Sequence, residues 1–151
     1  MIDPITELIL ESERPNVLYH GSSKQNMKNI KASKGESTHD KGSKARVYAA
    51  DTKIIASAFT FTWIDSMGIT FGSYGNDRKT AKHILEIPKK HLHLIKKPCS
   101  LYTVSSEAFI PAVGGMRGEY YSTKNIKILN EVKYKTAELC MKNNGVILRV
   151  T

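Results

Sequence analysis

The chain has 151 residues, 40% of them hydrophobic and 25% charged, a size and balance that suit one compact globular domain and exclude a disordered or fibrous chain. Lys and Arg number 23 against 14 Asp and Glu, so the formal charge is +9, a surplus that attracts phosphate-bearing partners such as a dinucleotide or nucleic acid. A lysine-rich surface that merely keeps the protein soluble fits the same numbers.

Cys99 and Cys140 share no metal-ligand or redox-motif spacing, which predicts two free thiols in a reducing compartment. The first fifteen residues lack the basic-then-apolar order of a signal peptide, and no apolar run approaches the ~20 residues that cross a bilayer. A cytoplasmic protein with no membrane partner is expected.

Taken in order, residues 3–13 predict a short leading helix closed before Pro15. Val17-Leu18-Tyr19-His20 reads as a strand that stops at Gly21-Ser22-Ser23. Met27 and Ile30 stand at helical spacing within 23–30, and the polar stretch 31–44, with glycines at 35 and 42, reads as a mobile loop. Residues 46–50 form a second strand. Asp51-Thr52 then caps a buried helix running through Ile54, Ile55, Ala58 and Phe59 toward Trp63. Strands follow over 69–74, 83–87, 101–104, 119–122 and 126–134, with a helix near 136–142 and a last strand over 146–150. Early helices followed by a run of strands give an α+β fold. No repeat or linker divides the chain, so 1–151 is expected to be a single domain.

Three segments carry chemistry. In Leu18-Tyr19-His20-Gly21-Ser22 an imidazole ends an apolar strand beside glycine backbone that a flat ligand can approach closely. In Val47-Tyr48-Ala49-Ala50-Asp51, with Ala56, Ser57, Ala58 and Phe59 following, two aromatic rings are separated by small residues. In Gly114-Gly115-Met116-Arg117-Gly118-Glu119-Tyr120-Tyr121-Ser122 a glycine-rich approach ends on a carboxylate that opens a strand. Taken one at a time, each also fits a plain structural role: a strand-end histidine, core packing, a solvated edge carboxylate.

In this order the three resemble the ADP-ribosyltransferase superfamily, in its His-Tyr-Glu branch of diphtheria-toxin-like enzymes and poly(ADP-ribose) polymerases. Tyr19-His20-Gly21-Ser22 matches the first motif of that branch. Tyr48-Ala49-Ala50-Asp51 with Phe59 matches the second, and Glu119-Tyr120-Tyr121 before the strand from Asn125 matches the third. The resemblance spans residues 17–134. It implies a split β-sheet core with a few short helices, NAD as co-substrate, and no metal. It also implies a mono-ADP-ribosyltransferase, toxin-like in its small size, that releases nicotinamide and modifies a macromolecular acceptor, nucleic acid or protein.

Roles follow by the same resemblance. His20 bonds an NAD ribose, Gly21 and Ser22 belong to the dinucleotide site, and Gly21 backbone holds the carboxamide. Tyr48 and Phe59 sandwich the nicotinamide ring. Glu119 bonds a ribose hydroxyl and stabilises the cationic sugar; His20, Tyr48 and Glu119 form the catalytic set. The serine that family members place in the helix after the tyrosine falls on Ala56 here. Either Ser57, one residue late, takes its role or the contact is missing. Arg117 stands where the arginine-modifying branch carries Glu or Gln, which points away from arginine as acceptor.

Two other activities fit the resemblance: an RNA 2′-phosphotransferase-like enzyme, whose site uses Arg and His where Tyr48 and Glu119 stand, and a non-catalytic module binding NAD, ADP-ribose or nucleic acid. His91-Leu92-His93 puts two imidazoles on one face of a predicted strand, with no third ligand nearby for a metal.

Overall fold

The structure is a computed structural model that describes residues 15–32, 45–77, 80–112 and 118–151. The leading helix expected over 3–13, most of the 31–44 loop, the Gly114-Gly115 approach and Arg117 lie outside the described residues.

The described chain is mixed α+β and built mostly of strands. In order these are β1 (Val17–Ser22), β2 (Asn29–Ile30) and β3 (Val47–Ala50), followed by helix α1 (Lys53–Ser57). After α1 come β4 (Thr70–Tyr74), β5 (Lys82–Ile87), β6 (Cys99–Ser105), β7 (Ile110–Pro111), β8 (Glu119–Ser122) and β9 (Ile126–Tyr134). Helix α2 (Ala137–Asn143) and β10 (Val146–Val150) close the chain.

Seven strands form one antiparallel sheet in the order β2-β9-β6-β1-β3-β8-β7. The other three form a small sheet, β10-β5-β4, in which β10 runs parallel to β5 and β4 antiparallel. Alternation assigns the faces of the large sheet. Leu18, Val47, Ala49, Tyr102 and Val104 share one face and pack with Phe109 and Ile126 into a buried cluster. Ala50 and Leu101 face the other way, joining Ile55 and Ala56 of α1, Leu85 and Ile87 of β5, Cys140 and Met141 of α2, and Val146 of β10. That second cluster ties the two sheets together.

Both helices are short and capped by threonine. Thr52 accepts from the Ile55 amide at 3.2 Å and Thr136 from the Leu139 amide at 3.1 Å, each satisfying an end donor that the helix itself cannot. Thus α1 begins where the sequence predicts. It ends early, before Phe59, because three β-branched or aromatic residues crowd positions 59–61.

Two segments depart from expectation. Residues 23–28 are irregular rather than helical, and Asn26 sits at φ 63, a left-handed conformation that no helix tolerates. Residues Lys89–Lys96 form a 3-10 helix rather than a strand, starting from Pro88, whose carbonyl accepts from the His91 amide at 2.9 Å. Its three-residue turn rotates His91 and His93 onto different faces. Among the described residues no group of His, Cys, Asp and Glu could hold a metal ion, and no helix is long and apolar enough to cross a membrane.

Candidate active site

The site begins with a defect in the large sheet. Strands β1 and β3 pair at one position only, Tyr19 with Ala50, and past it they diverge. The imidazole of His20 spans the gap, its Nδ1 lying 2.5 Å from the Tyr48 carbonyl. A carbonyl can only accept, so Nδ1 carries the proton and Nε2 presents a lone pair. Burial lowers the His20 pKa below its ordinary 6.5, and the bond to Tyr48 offsets only part of that. The ring is therefore neutral at pH 7.

This shift has a consequence for stability. The folded pKa lies below the unfolded one, so the unfolded chain binds the proton first as pH falls. Stability present above about pH 6.5 is then lost on acidification, at no more than about 1.4 kcal/mol per pH unit from this residue. Urea midpoints for wild type and His20→Gln between pH 7.5 and 5 should converge as the pH drops. Parallel curves would show that His20 is not the source.

Beyond the gap lies a cavity of about 510 Å³. Its walls come from β1 (Tyr19, His20, Gly21), β3 (Tyr48, Ala49, Ala50), α1 (Ile55, Ala56) and the chain after it (Phe59, Trp63, Asp65). Thr70 and Phe71 of β4 and Glu119 of β8 complete it. The β3–β8 register sets Glu119 opposite Ala50 and Tyr121 opposite Tyr48. These side chains therefore share the face onto which the cavity opens.

Four of the expected residues from the three sequence segments thus line one cavity: His20, Tyr48, Phe59 and Glu119. Gly21 is there too, held tightly under α1. Ser22 is not; it lines an adjoining groove. Ser57 is fully buried, and its hydroxyl donates to the Ile54 carbonyl at 2.7 Å, while Ala56 faces the cavity instead. The helix offers the cavity no hydroxyl.

Two further aromatic rings, Trp63 and Phe71, extend the wall. Trp63 lies nearly parallel to Phe59, at 5.7 Å between centroids and 11°, and Phe71 meets Phe59 edge-on at 6.3 Å and 74°. The Trp63 indole N–H donates to the Ala58 carbonyl at 2.8 Å, which fixes the ring across the end of α1. The four-residue spacing of Phe59 and Trp63 was a usable signal. Phe71 comes from a different sheet and gave none.

His20 and Tyr48 also belong to the second space, a groove of about 600 Å³ with Ser22, Met27 and the cations Lys24, Lys28, Lys31 and Arg46 among its lining residues. Among the described residues no Asp or Glu lines it. The Arg46 guanidinium lies 4.2 Å from the centre of the Tyr121 ring, a cation–π contact that fixes it at the groove wall. A partly buried network holds the segment carrying Lys24 and Lys28. Ser100 donates to Glu131 at 2.6 Å, the Asn26 amide donates to Glu131 at 2.9 Å, and the Tyr102 hydroxyl donates to the Lys24 carbonyl at 2.6 Å. Desolvation raises the Glu131 pKa, but these donors outweigh it and leave the carboxyl below its usual range.

No family model, curated protein or solved structure matches the chain.

The arrangement is therefore judged on its own chemistry. An apolar, aromatic-walled cavity with one half-buried carboxylate suits a flat, weakly hydrated group that becomes cationic at a neighbouring atom. An adjoining groove with Lys24, Lys28, Lys31 and Arg46 in its described lining suits phosphates. A neutral imidazole at the junction suits a hydroxyl donor between the two.

Proposed function

We propose that the protein is an NAD-dependent mono-ADP-ribosyltransferase that moves ADP-ribose to a macromolecular acceptor and releases nicotinamide. One observation carries this: His20, Tyr48, Phe59 and Glu119, from three separate stretches of the sequence, line a single cavity that adjoins a groove whose described lining includes four cations. The ADP-ribosyltransferase-like split sheet belongs to the same reading, supported by the parting of β1 from β3 at His20.

The residues fit such a substrate. Tyr48 and Phe59 would flank the nicotinamide ring, with Trp63 and Phe71 extending the apolar wall that excludes water. Lys24, Lys28, Lys31 and Arg46 would neutralise the pyrophosphate, and the Nε2 lone pair of His20 would accept from a ribose hydroxyl. NAD supplies a glycosidic bond to a pyridinium that leaves as a neutral amide. Glu119 would face the positive charge that grows on the sugar, its half-buried carboxylate less screened than one in water.

The inward turn of the Ser57 hydroxyl favours a second reading, a module that binds NAD or ADP-ribose without turning it over. Nicotinamide release from NAD, measured on the purified protein alone and with RNA, DNA or cell lysate, separates the two. Release above the spontaneous rate is expected, with an increase on adding the right acceptor. NAD that raises Tm without any release would establish the binding module. NAD that does neither would end both readings.

A further inference from the structure

The groove beside the cavity holds more positive charge than a pyrophosphate needs. A pyrophosphate diester carries one negative charge on each phosphate. The described lining of the groove offers four cations, Lys24, Lys28, Lys31 and Arg46, and among the described residues no Asp or Glu opposes them.

The cations fall into two sets on different elements. Arg46 stands two residues before Tyr48 in extended chain, about 7 Å along the same side, and its guanidinium is set against the Tyr121 ring. Lys24 stands two residues after Ser22, whose hydroxyl accepts from the Lys24 amide at 3.0 Å. These two flank the junction, where His20 and Tyr48 line both spaces. Lys28 and Lys31 instead flank β2, which pairs with β9 and not with β1 or β3. That element is anchored. Ile30 is buried and pairs with Ile126, and the Ala32 amide donates to the Asn125 side chain at 3.3 Å. The second pair of cations is thus carried at a fixed place in the groove, separate from the first.

A dinucleotide with its nicotinamide in the cavity puts the pyrophosphate at the junction and the adenosine ribose beyond it. The 2′ oxygen of that ribose is where NAD and NADP differ. Sites that select NAD bond the free hydroxyl with an Asp or Glu, whereas a cation accommodates the phosphate of NADP. A 2′-phosphate adds about −1.5 to −2 charges at neutral pH, which matches the surplus that Lys28 and Lys31 supply.

We infer that Lys28 and Lys31 hold the 2′-phosphate of NADP and that the enzyme uses NADP in preference to NAD. The inference rests on the transferase reading above and names its co-substrate. The reacting bond is the same. The bond from the anomeric carbon to the pyridinium nitrogen breaks, and its electron pair leaves with neutral nicotinamide. An acceptor hydroxyl or water forms the new O–C bond and gives up its proton to solvent. The 2′-phosphate takes no part and is carried over on the product.

Nicotinamide release measured with NADP or NAD as the sole dinucleotide should show kcat/KM at least about tenfold higher for NADP, the scale of one added charge-assisted contact. The gap should lie in KM, because the 2′-phosphate is remote from the bond that breaks. The exposed lysines permit a folded double variant, Lys28→Gln with Lys31→Gln, checked by an unchanged Tm. It should lose more with NADP than with NAD and bring the two within about threefold of each other. Lys90→Gln, which lines neither space, should keep the wild-type preference and so control for overall charge. Adenosine 2′,5′-bisphosphate should compete with NADP more tightly than adenosine 5′-monophosphate does.

Release from NAD as efficient as from NADP would overturn the assignment and leave the transferase reading standing. A preference for NADP that survives in the double variant would overturn the roles of Lys28 and Lys31. Competition with NADP by a short RNA stronger than that by adenosine 2′,5′-bisphosphate would give the surplus charge to a nucleic acid and overturn the assignment as well. No release from either dinucleotide would end the assignment together with the reading beneath it.

Discussion

Glu119→Gln should reduce nicotinamide release from NAD by about 10²–10³-fold in kcat while changing KM little, the signature of a group whose interaction strengthens in the transition state. The substitution keeps the shape and one acceptor oxygen, removes the charge, and turns the other oxygen into an NH2 donor. The position makes this a clean test. Glu119 opens β8, paired in register with Ala50 and partly buried at the cavity wall, so its backbone is held at the site as a loop residue's would not be. Asp65 is the other carboxylate on that wall, and Asp65→Asn is the proper control. If charge anywhere in the cavity sufficed, the two variants would fall together. If Glu119 alone faces the reacting carbon, only Glu119→Gln falls. A Glu119→Gln protein with undiminished release would remove the carboxylate from the mechanism, and with it the main chemical support for transfer.

Much of this site was legible in the sequence, and the reason is local. Residues 119–122, 126–134 and 146–150 read as strands from alternation and β-branched or aromatic content, and those strands are present with the same bounds. Thr52 marks the start of α1 because a side-chain oxygen before a helix does the same job everywhere. His20, Tyr48 and Glu119 stood out as an ordered set resembling one family's motifs; His20 and Tyr48 lie inside β1 and β3, and Glu119 opens β8.

What the sequence hid depends on distance. Nothing near position 71 says that Phe71 of the small sheet will close a cavity built on the large one. Lys24, Lys28, Lys31 and Arg46 are scattered lysines and an arginine until the parting of β1 and β3 gathers them around one groove. The 23–28 segment carried helical spacing, yet its amides and carbonyls find partners on β6 and β9. The Asn26 amide goes to Glu131, the Met27 amide to the Tyr102 hydroxyl, and the Lys24 carbonyl takes that same hydroxyl. Tertiary partners outweighed a weak local preference.

Gly21 shows how closely fold and site are joined, and Gly21→Ala should be among the most damaging single changes available. A Cβ built there would stand 2.1 Å from the Ala56 carbonyl oxygen, with the Thr60 methyl at 3.0 Å and the Phe59 carbonyl carbon at 3.1 Å. The first and last of these are backbone atoms that no rotamer change can move. To admit one methyl, α1 must withdraw from β1, opening contacts among Ile55, Ala56, Ala50 and Leu101 in the core. The expected cost is about 3 kcal/mol or more, at the upper end for overpacking, or a fall in Tm of roughly 6–12 °C for a chain of this length. Gly72→Ala is the matching control. There the nearest atom, at 2.9 Å, is the hydroxyl oxygen of the exposed Tyr74 side chain, which can swing aside, so Tm should hardly change. Should Gly21→Ala fold at wild-type Tm, the contact between α1 and β1 is looser than described, and NAD binding measured on that variant would be unimpaired. If instead it folds weakly, nicotinamide release should be lost even below its Tm, because Gly21, Ala56 and Phe59 are at once the packing contact and the cavity wall.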